Sequence, residues 1–258
     1  MKPIDSEEVK SIQLSILKDV ANYCERNNLR YYLAYGTLIG AIRHKGYIPW
    51  DDDIDLIMPR PDYEKFCKRY NGNNESFKVL CPQNNKDCYI NFAKVHDIRT
   101  RFQESYSMLN NYGIFIDIFP FDGYIDRKQM KKCRFLFQLI HYKSLTWSSS
   151  NSFRKNAILL IIRTILFPFN MRKILERLEK ESQRKEYDSS EYVYFFSEKI
   201  PPIKREIFDE YIYTDFENQK YRIPSKYDEL LQLQYGDYMQ LPPVEERINK
   251  HQAKAWWI

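Results

Sequence analysis

The chain has 258 residues, 43% hydrophobic and 29% charged, which is enough to bury a large core. No Gly/Ser- or Pro-rich linker divides it, so one cooperative unit with insertions is expected. Forty basic and thirty-five acidic residues give a net charge of +5. That mild excess argues against nucleic acid as a partner and suits anionic small substrates or an anionic membrane surface.

Residues 1–11 are polar and carry no signal-peptide pattern. Asp5 or Ser6 can cap a first helix, in which Val9, Ile12, Ile16, Leu17, Val20, Tyr23 and Cys24 recur on one apolar face. Asn27 and Asn28 suit its exit. Leu29–Tyr35 reads as a strand bounded by Gly36, and Thr37–Arg43 as a short helix. Asp53–Met58 reads as a strand that Pro59 and Pro61 stop, and Asp62–Tyr70 as a helix. Phe77–Cys81, Tyr89–Val95, Arg99–Gln103 and Ile114–Phe119 are further strands. Past Gly123 the pattern turns helical: Asp126–Tyr142, then 157–169, then Met171–Lys185. A Tyr- and Pro-rich tail from Glu191 carries one more helix at Tyr227–Tyr235. The expected fold class is therefore α/β (α+β), with a mixed-sheet core at residues 1–125 and a mostly helical region at 126–258. Five cysteines without a CxxC pair read as reduced thiols of a cytosolic protein.

Residues 157–169 read AILLIIRTILFPF. The run is shorter than the roughly 20 residues a transmembrane helix needs, and Arg163 interrupts it. With Arg154, Lys155, Arg172 and Lys173 flanking it, it fits either a buried core helix or an interfacial one at a membrane surface.

The chemistry concentrates at Trp50-Asp51-Asp52-Asp53-Ile54-Asp55-Leu56. Four aspartates in five residues disfavour a strand and repel one another. Alternation along a strand would send Asp51, Asp53 and Asp55 to one side while Ile54 and Leu56 enter the core. Asp117, alone among Phe115, Ile116, Ile118 and Phe119, needs a partner or a ligand. Converging carboxylates of this kind are hard oxygen donors that select Mg²⁺ or Mn²⁺, and such ions serve phosphoryl transfer. Three of the seven glycines, Gly36, Gly40 and Gly46, fall just before the cluster, where backbone approaches a ligand closely.

The order Tyr35-Gly36-Thr37, Asp53-Ile54-Asp55 and Asp117 resembles the nucleotidyltransferase superfamily. The stretch YGTLIGAIRHKGYIPWDDDIDLIMPR is similar to the core motif of the LicD family, which includes the fukutins. FIDIFPFDG and IPSKYDELLQLQYGDYMQLPP resemble that family's second and third blocks, so that the likeness spans roughly residues 31–245. The resemblance implies a nucleotidyltransferase-like core. Its reaction would be transfer of phosphocholine, or another alcohol phosphate, from CDP-choline or another CDP-alcohol to a sugar hydroxyl of a surface glycan. That glycan would be a lipopolysaccharide, teichoic acid or capsule precursor, often lipid-linked, and CMP would be released. By this analogy Asp53 and Asp55 bind Mg²⁺ on the diphosphate and Asp117 completes the metal site. Asp51 or Asp117 takes the proton of the attacking hydroxyl, and Gly36 and Thr37 hold phosphate oxygens.

Arg43, His44 and Lys45 are candidates for the diphosphate. Lys94 is either a phosphate contact or the neutraliser of the aspartates, His96 a bystander, and Trp50 packing beneath the acid loop. Tyr112, Phe115, Tyr124 and Trp147 could cage a quaternary ammonium or simply pack in the core. A cytosolic enzyme, peripheral at the inner face of the membrane, fits this picture. Two rivals stand beside it: a nucleotidyltransferase that uses an NTP and releases pyrophosphate, and a non-catalytic glycan-binding scaffold.

Overall fold

The structure, a computed structural model, describes residues 1–85, 88, 90–103, 112–144, 153–195, 200–248 and 253–258. Strand β1 (Lys2–Ile4) leads into helix α1 (Ser6–Arg26). Asp5 caps α1 by accepting the Glu8 N–H at 2.9 Å, and Ile12, Ile16, Leu17, Val20 and Cys24 form its buried face. Strand β2 is only Tyr32–Leu33, followed at once by α2 (Tyr35–Arg43). The strand expected over Leu29–Tyr35 is cut short because Tyr35 takes a φ of 47° and turns the chain into α2. Such a conformation is strained for a bulky residue, and strain of this sort gathers at functional sites.

Next come β3 (Asp55–Pro59), α3 (Arg60–Arg69), β4 (Phe77–Leu80), β5 (Ala93–Asp97), β6 (Thr100–Gln103) and β7 (Phe115–Gly123). The central sheet runs β2-β3-β7-β5-β4. Only β3 and β7 along that path are parallel, with Asp55 opposite Asp117. Helix α1 packs on β5 and β7, and α3 on β3 and β7. Where α3 meets β7, the buried Arg60 guanidinium donates to both carboxylate oxygens of the buried Asp122, at 2.6 and 2.8 Å. This fork satisfies two charges that neither partner could bury alone.

The second half holds α4 (Arg127–Ser144), α5 (Phe153–Leu166), α6 (Met171–Ser182), β8 (Tyr192–Tyr194), β9 (Ile203–Lys204), β10 (Tyr211–Phe216), β11 (Gln219–Pro224), α7 (Tyr227–Tyr235) and β12 (Lys254–Trp257). The tail is thus richer in strands than its composition suggested. Strand β8 pairs with the end of β7, β10 and β11 form a hairpin, and β12 lies between β1 and β6. Helices α4 and α6 build a small core of their own, with Cys133, Leu136 and Ile140 against Ile174, Leu175 and Leu178. All five cysteines are buried free thiols.

The apolar run at 157–169 is not a core helix. Ile158, Leu160, Ile161, Ile165, Phe167 and Phe169 are each more than half exposed. No helix among the described residues is long and apolar enough to cross a membrane.

Candidate active site

The acid cluster sits where β3 enters the sheet. Sequence periodicity put Asp53 on a strand, but β3 begins at Asp55 and residues 51–54 are a connecting loop. The reason is electrostatic: mutually repelling carboxylates favour the open loop until the ladder takes hold. It does so at Ile54, whose carbonyl accepts the Asp117 N–H at 2.9 Å. Asp55 and Asp117 then lie side by side on parallel strands, so their side chains share one face.

Asp51 and Asp53 join them from the loop, and the two carboxyls are linked by a hydrogen bond. Burial, then the charges of Asp51, Asp117 and Asp52, push the Asp53 carboxyl up to about 8. Asp55 is raised well above the usual carboxylate range by burial and by Asp53, Asp117 and Asp51, with Lys94 opposing them. Four of the aspartates expected from the sequence to share a site are therefore close enough to perturb one another.

Three contacts hold the cluster. Gly36 presses on Asp51: a Cβ there would fall 2.5 Å from Asp51 Oδ2. The buried Thr37 Oγ1 accepts the Asp55 N–H at 2.9 Å, so this hydroxyl fastens β3 to α2. Lys94, on β5 next to β7, donates to Asp117 Oδ1 at 2.8 Å and is itself buried. It neutralises an aspartate, one of the two roles its sequence context allowed.

Sequence reasoning missed Gln13. This buried residue of α1 donates to the Asp52 carbonyl at 2.9 Å and the Phe115 carbonyl at 3.3 Å. Its Oε1 accepts the Tyr47 hydroxyl at 3.0 Å. One amide thus ties the acid loop to the strand carrying Asp117. The available signal was a polar side chain within the buried stripe of α1.

Similarity to known proteins agrees with this constellation. The family described as "LicD/FKTN/FKRP, nucleotidyltransferase domain" matches residues 28–170, more than half of the chain. The chain belongs to the LicD family. It is also 32% identical, over 99% of its own length and 99% of the relative's, to the lipopolysaccharide cholinephosphotransferase LicD of Haemophilus influenzae. An uncharacterized Rickettsia typhi protein is 32% identical over 35% of this chain and 32% of its own. The LicD match encloses Gly36, Thr37, Arg43, His44, Lys94 and all four acids, whereas the third sequence block lies beyond it.

That third block gains a physical role from Arg43, whose guanidinium donates to the carbonyls of Tyr238 at 2.7 Å and Gln240 at 3.4 Å. Its Nε also donates to His44 Nε2 at 2.9 Å. Burial lowers the affinity of both Arg43 and His44 for their protons. Trp50, beside Asp51, is flanked edge-on by His44 at 6.3 Å and covered by Arg247 at 5.5 Å. Arg247 is a second residue that no motif announced.

Of the rings proposed to cage an ammonium, Tyr112 and Phe115 are buried and face the Lys94 ammonium, at 5.5 and 3.4 Å from the ring centres. Tyr124 packs against the small helical core near Tyr194. Trp147 lies outside the described residues. His96 accepts the Gly113 N–H at 3.0 Å and is held neutral by burial, its value lowered to about 4, which makes it structural.

Among the described residues no three His, Cys, Asp or Glu side chains form a ready metal cage. The donor set still suits a hard cation: Asp53 and Asp55 are carboxylates whose mutual repulsion a divalent charge would relieve.

Proposed function

We propose that this protein transfers phosphocholine from CDP-choline to a sugar hydroxyl of a lipopolysaccharide or related lipid-linked surface glycan, releasing CMP. The observation that carries the reading is full-length similarity to a lipopolysaccharide cholinephosphotransferase. The clustered acids Asp51, Asp53, Asp55 and Asp117 support it.

In this reading Asp53 and Asp55 hold Mg²⁺, with Mn²⁺ as a substitute, and Asp117 stands beside them, anchored by Lys94. The cation, when bound, neutralises the diphosphate and the charge growing on the departing CMP. The chain's own residues do the rest. Asp117 is already engaged by Lys94, so Asp51 is the carboxylate that takes the proton of the attacking hydroxyl. The acceptor oxygen bonds to the phosphorus bearing choline as the bond from that phosphorus to the CMP oxygen breaks. Backbone N–H groups around Gly36 and the Arg43–His44–Arg247 group steady the diphosphate. Gln13 and Thr37 keep the acids in register. The acceptor is met at the inner face of the cytoplasmic membrane.

The test is CMP release from CDP-choline with a glycan acceptor, with Mg²⁺ and with chelator, in the natural chain and in Asp53→Asn. Metal-dependent release of CMP, reduced about 10³-fold or more in the variant, is expected. Pyrophosphate release from CTP would replace this reading with nucleotidyl transfer. Full function of Asp53→Asn in cells would replace it with a scaffold.

A further inference from the structure

Charge along the chain is very uneven. Residues 127–185 hold fifteen of the forty basic residues and three of the thirty-five acidic ones. This stretch, α4 to just past α6, carries a net charge of +12 in a chain whose total is +5, so the remainder is net negative.

The same stretch displays the exposed apolar surface. On α5, Ile158, Leu160, Ile161 and Ile165 are all exposed and fall within one half of the helix circumference. The chain then turns through Phe167 and Phe169, 84% and 51% exposed. The backbone of this turn is held in place: the Lys143 ammonium, on α4, donates to the Leu166 carbonyl at 2.8 Å and the Phe169 carbonyl at 2.6 Å. Helix α4, packed against α5, carries its own stripe at helical spacing in which exposed Lys128 and Lys131 are followed by exposed Phe135 and Tyr142. Lys173 and Lys180 of α6 add exposed charge.

A surface that meets only water has no reason to present two aromatic rings and an isoleucine stripe on a tethered turn and helix. A protein partner would explain the apolar area but not so strong a bias toward one charge. A bilayer with anionic headgroups explains both, because apolar side chains enter the acyl boundary while lysines and arginines stay at the phosphate level. We propose that the face formed by α4, α5 and the Phe167–Phe169 turn docks on an anionic lipid bilayer. This goes beyond the transfer reaction and stands whether or not the donor is CDP-choline.

The test is co-sedimentation of the full chain with phosphatidylcholine vesicles, with and without phosphatidylglycerol, at low and high salt. The natural chain should bind the anionic vesicles, weakly bind the neutral ones, and lose binding as salt screens the lysines. Ile161→Asn/Ile165→Asn/Phe167→Ser should reduce binding about tenfold or more with an unchanged melting temperature, since these side chains support no core. Lys128→Glu/Lys131→Glu should erase the preference for anionic lipid. Failure to bind anionic vesicles at low salt would overturn the proposal, as would undiminished binding by the triple variant. Concentration-dependent dimers that the triple variant abolishes would give the face to a second copy of the chain instead.

Discussion

Gly36→Ala separates the placement of the acids from the stability of the fold. The new methyl carbon would lie 2.5 Å from Asp51 Oδ2, whereas ordinary contact begins at 3.4 Å, so the carboxylate must retreat by about 0.9 Å. Folding tolerates that well. Asp51 is half-buried and its carboxylate can swing on one short side chain. Gly36 is the second residue of α2, where alanine gains roughly 0.5–1 kcal/mol over glycine in helix preference. Catalysis does not tolerate it, because a shift near 1 Å in a reacting group costs about 10²-fold in rate. The variant should therefore melt within about 2 °C of the natural chain. Its kcat for CMP release should fall about 100-fold. Steady-state kinetics and calorimetry on the same preparation decide the matter. Activity within about threefold of natural would show that Asp51 is no part of the reaction. Loss of activity together with a collapsed melting temperature would show that Gly36 is needed only for folding.

The carboxylate cluster also makes stability depend on pH. The folded chain keeps a proton on Asp53 up to about pH 8, while an unconstrained aspartate releases it near 3.8. Across that window the unfolded state binds fewer protons, so stability in chelator should fall as pH rises, and Mg²⁺ should restore it most at the alkaline end. A melting temperature that ignores both pH and Mg²⁺ would contradict the cation assignment. Gln13→Leu should lower kcat about 10- to 100-fold with little change in KM, because it frees the Asp52 and Phe115 carbonyls from one another. Unaltered kinetics would show that the loop holds itself. Asp122→Ala leaves the buried Arg60 unpaired and should destabilise the fold by about 3–5 kcal/mol in denaturant titration. Arg60→Met/Asp122→Leu should recover most of that loss, and a double variant no better than the single one would refute the charge argument.

The amphipathic period of α1 was legible because it obeys one local rule. The site was legible for a different reason: Asp51, Asp53, Asp55 and Asp117 break local rules together, and only a shared purpose excuses that. What the sequence hid depends on distant pairing. Asp122, in the same block as Asp117, carries no local sign of its partner, because Arg60 lies on a different element about sixty residues earlier. Arg43 stood out for its charge beside the acids, but nothing local announced that its guanidinium also reaches carbonyls nearly two hundred residues away. Strands β8 and β9 of the tail were missed because two- and three-residue strands carry no period to detect.

Strand β12 is the middle strand of its sheet, hydrogen-bonded to β1 on one side and β6 on the other. Its residues, 254–257, leave the ribosome long after both neighbours, which must wait with bare edges until it arrives. Closing such distant contacts is slow, and unpaired edges invite pairing between chains. A nascent or truncated chain lacking these four residues would thus present two adhesive edges at once, and its yield in a cell would be governed by aggregation well before the chemistry of the aspartates came into play.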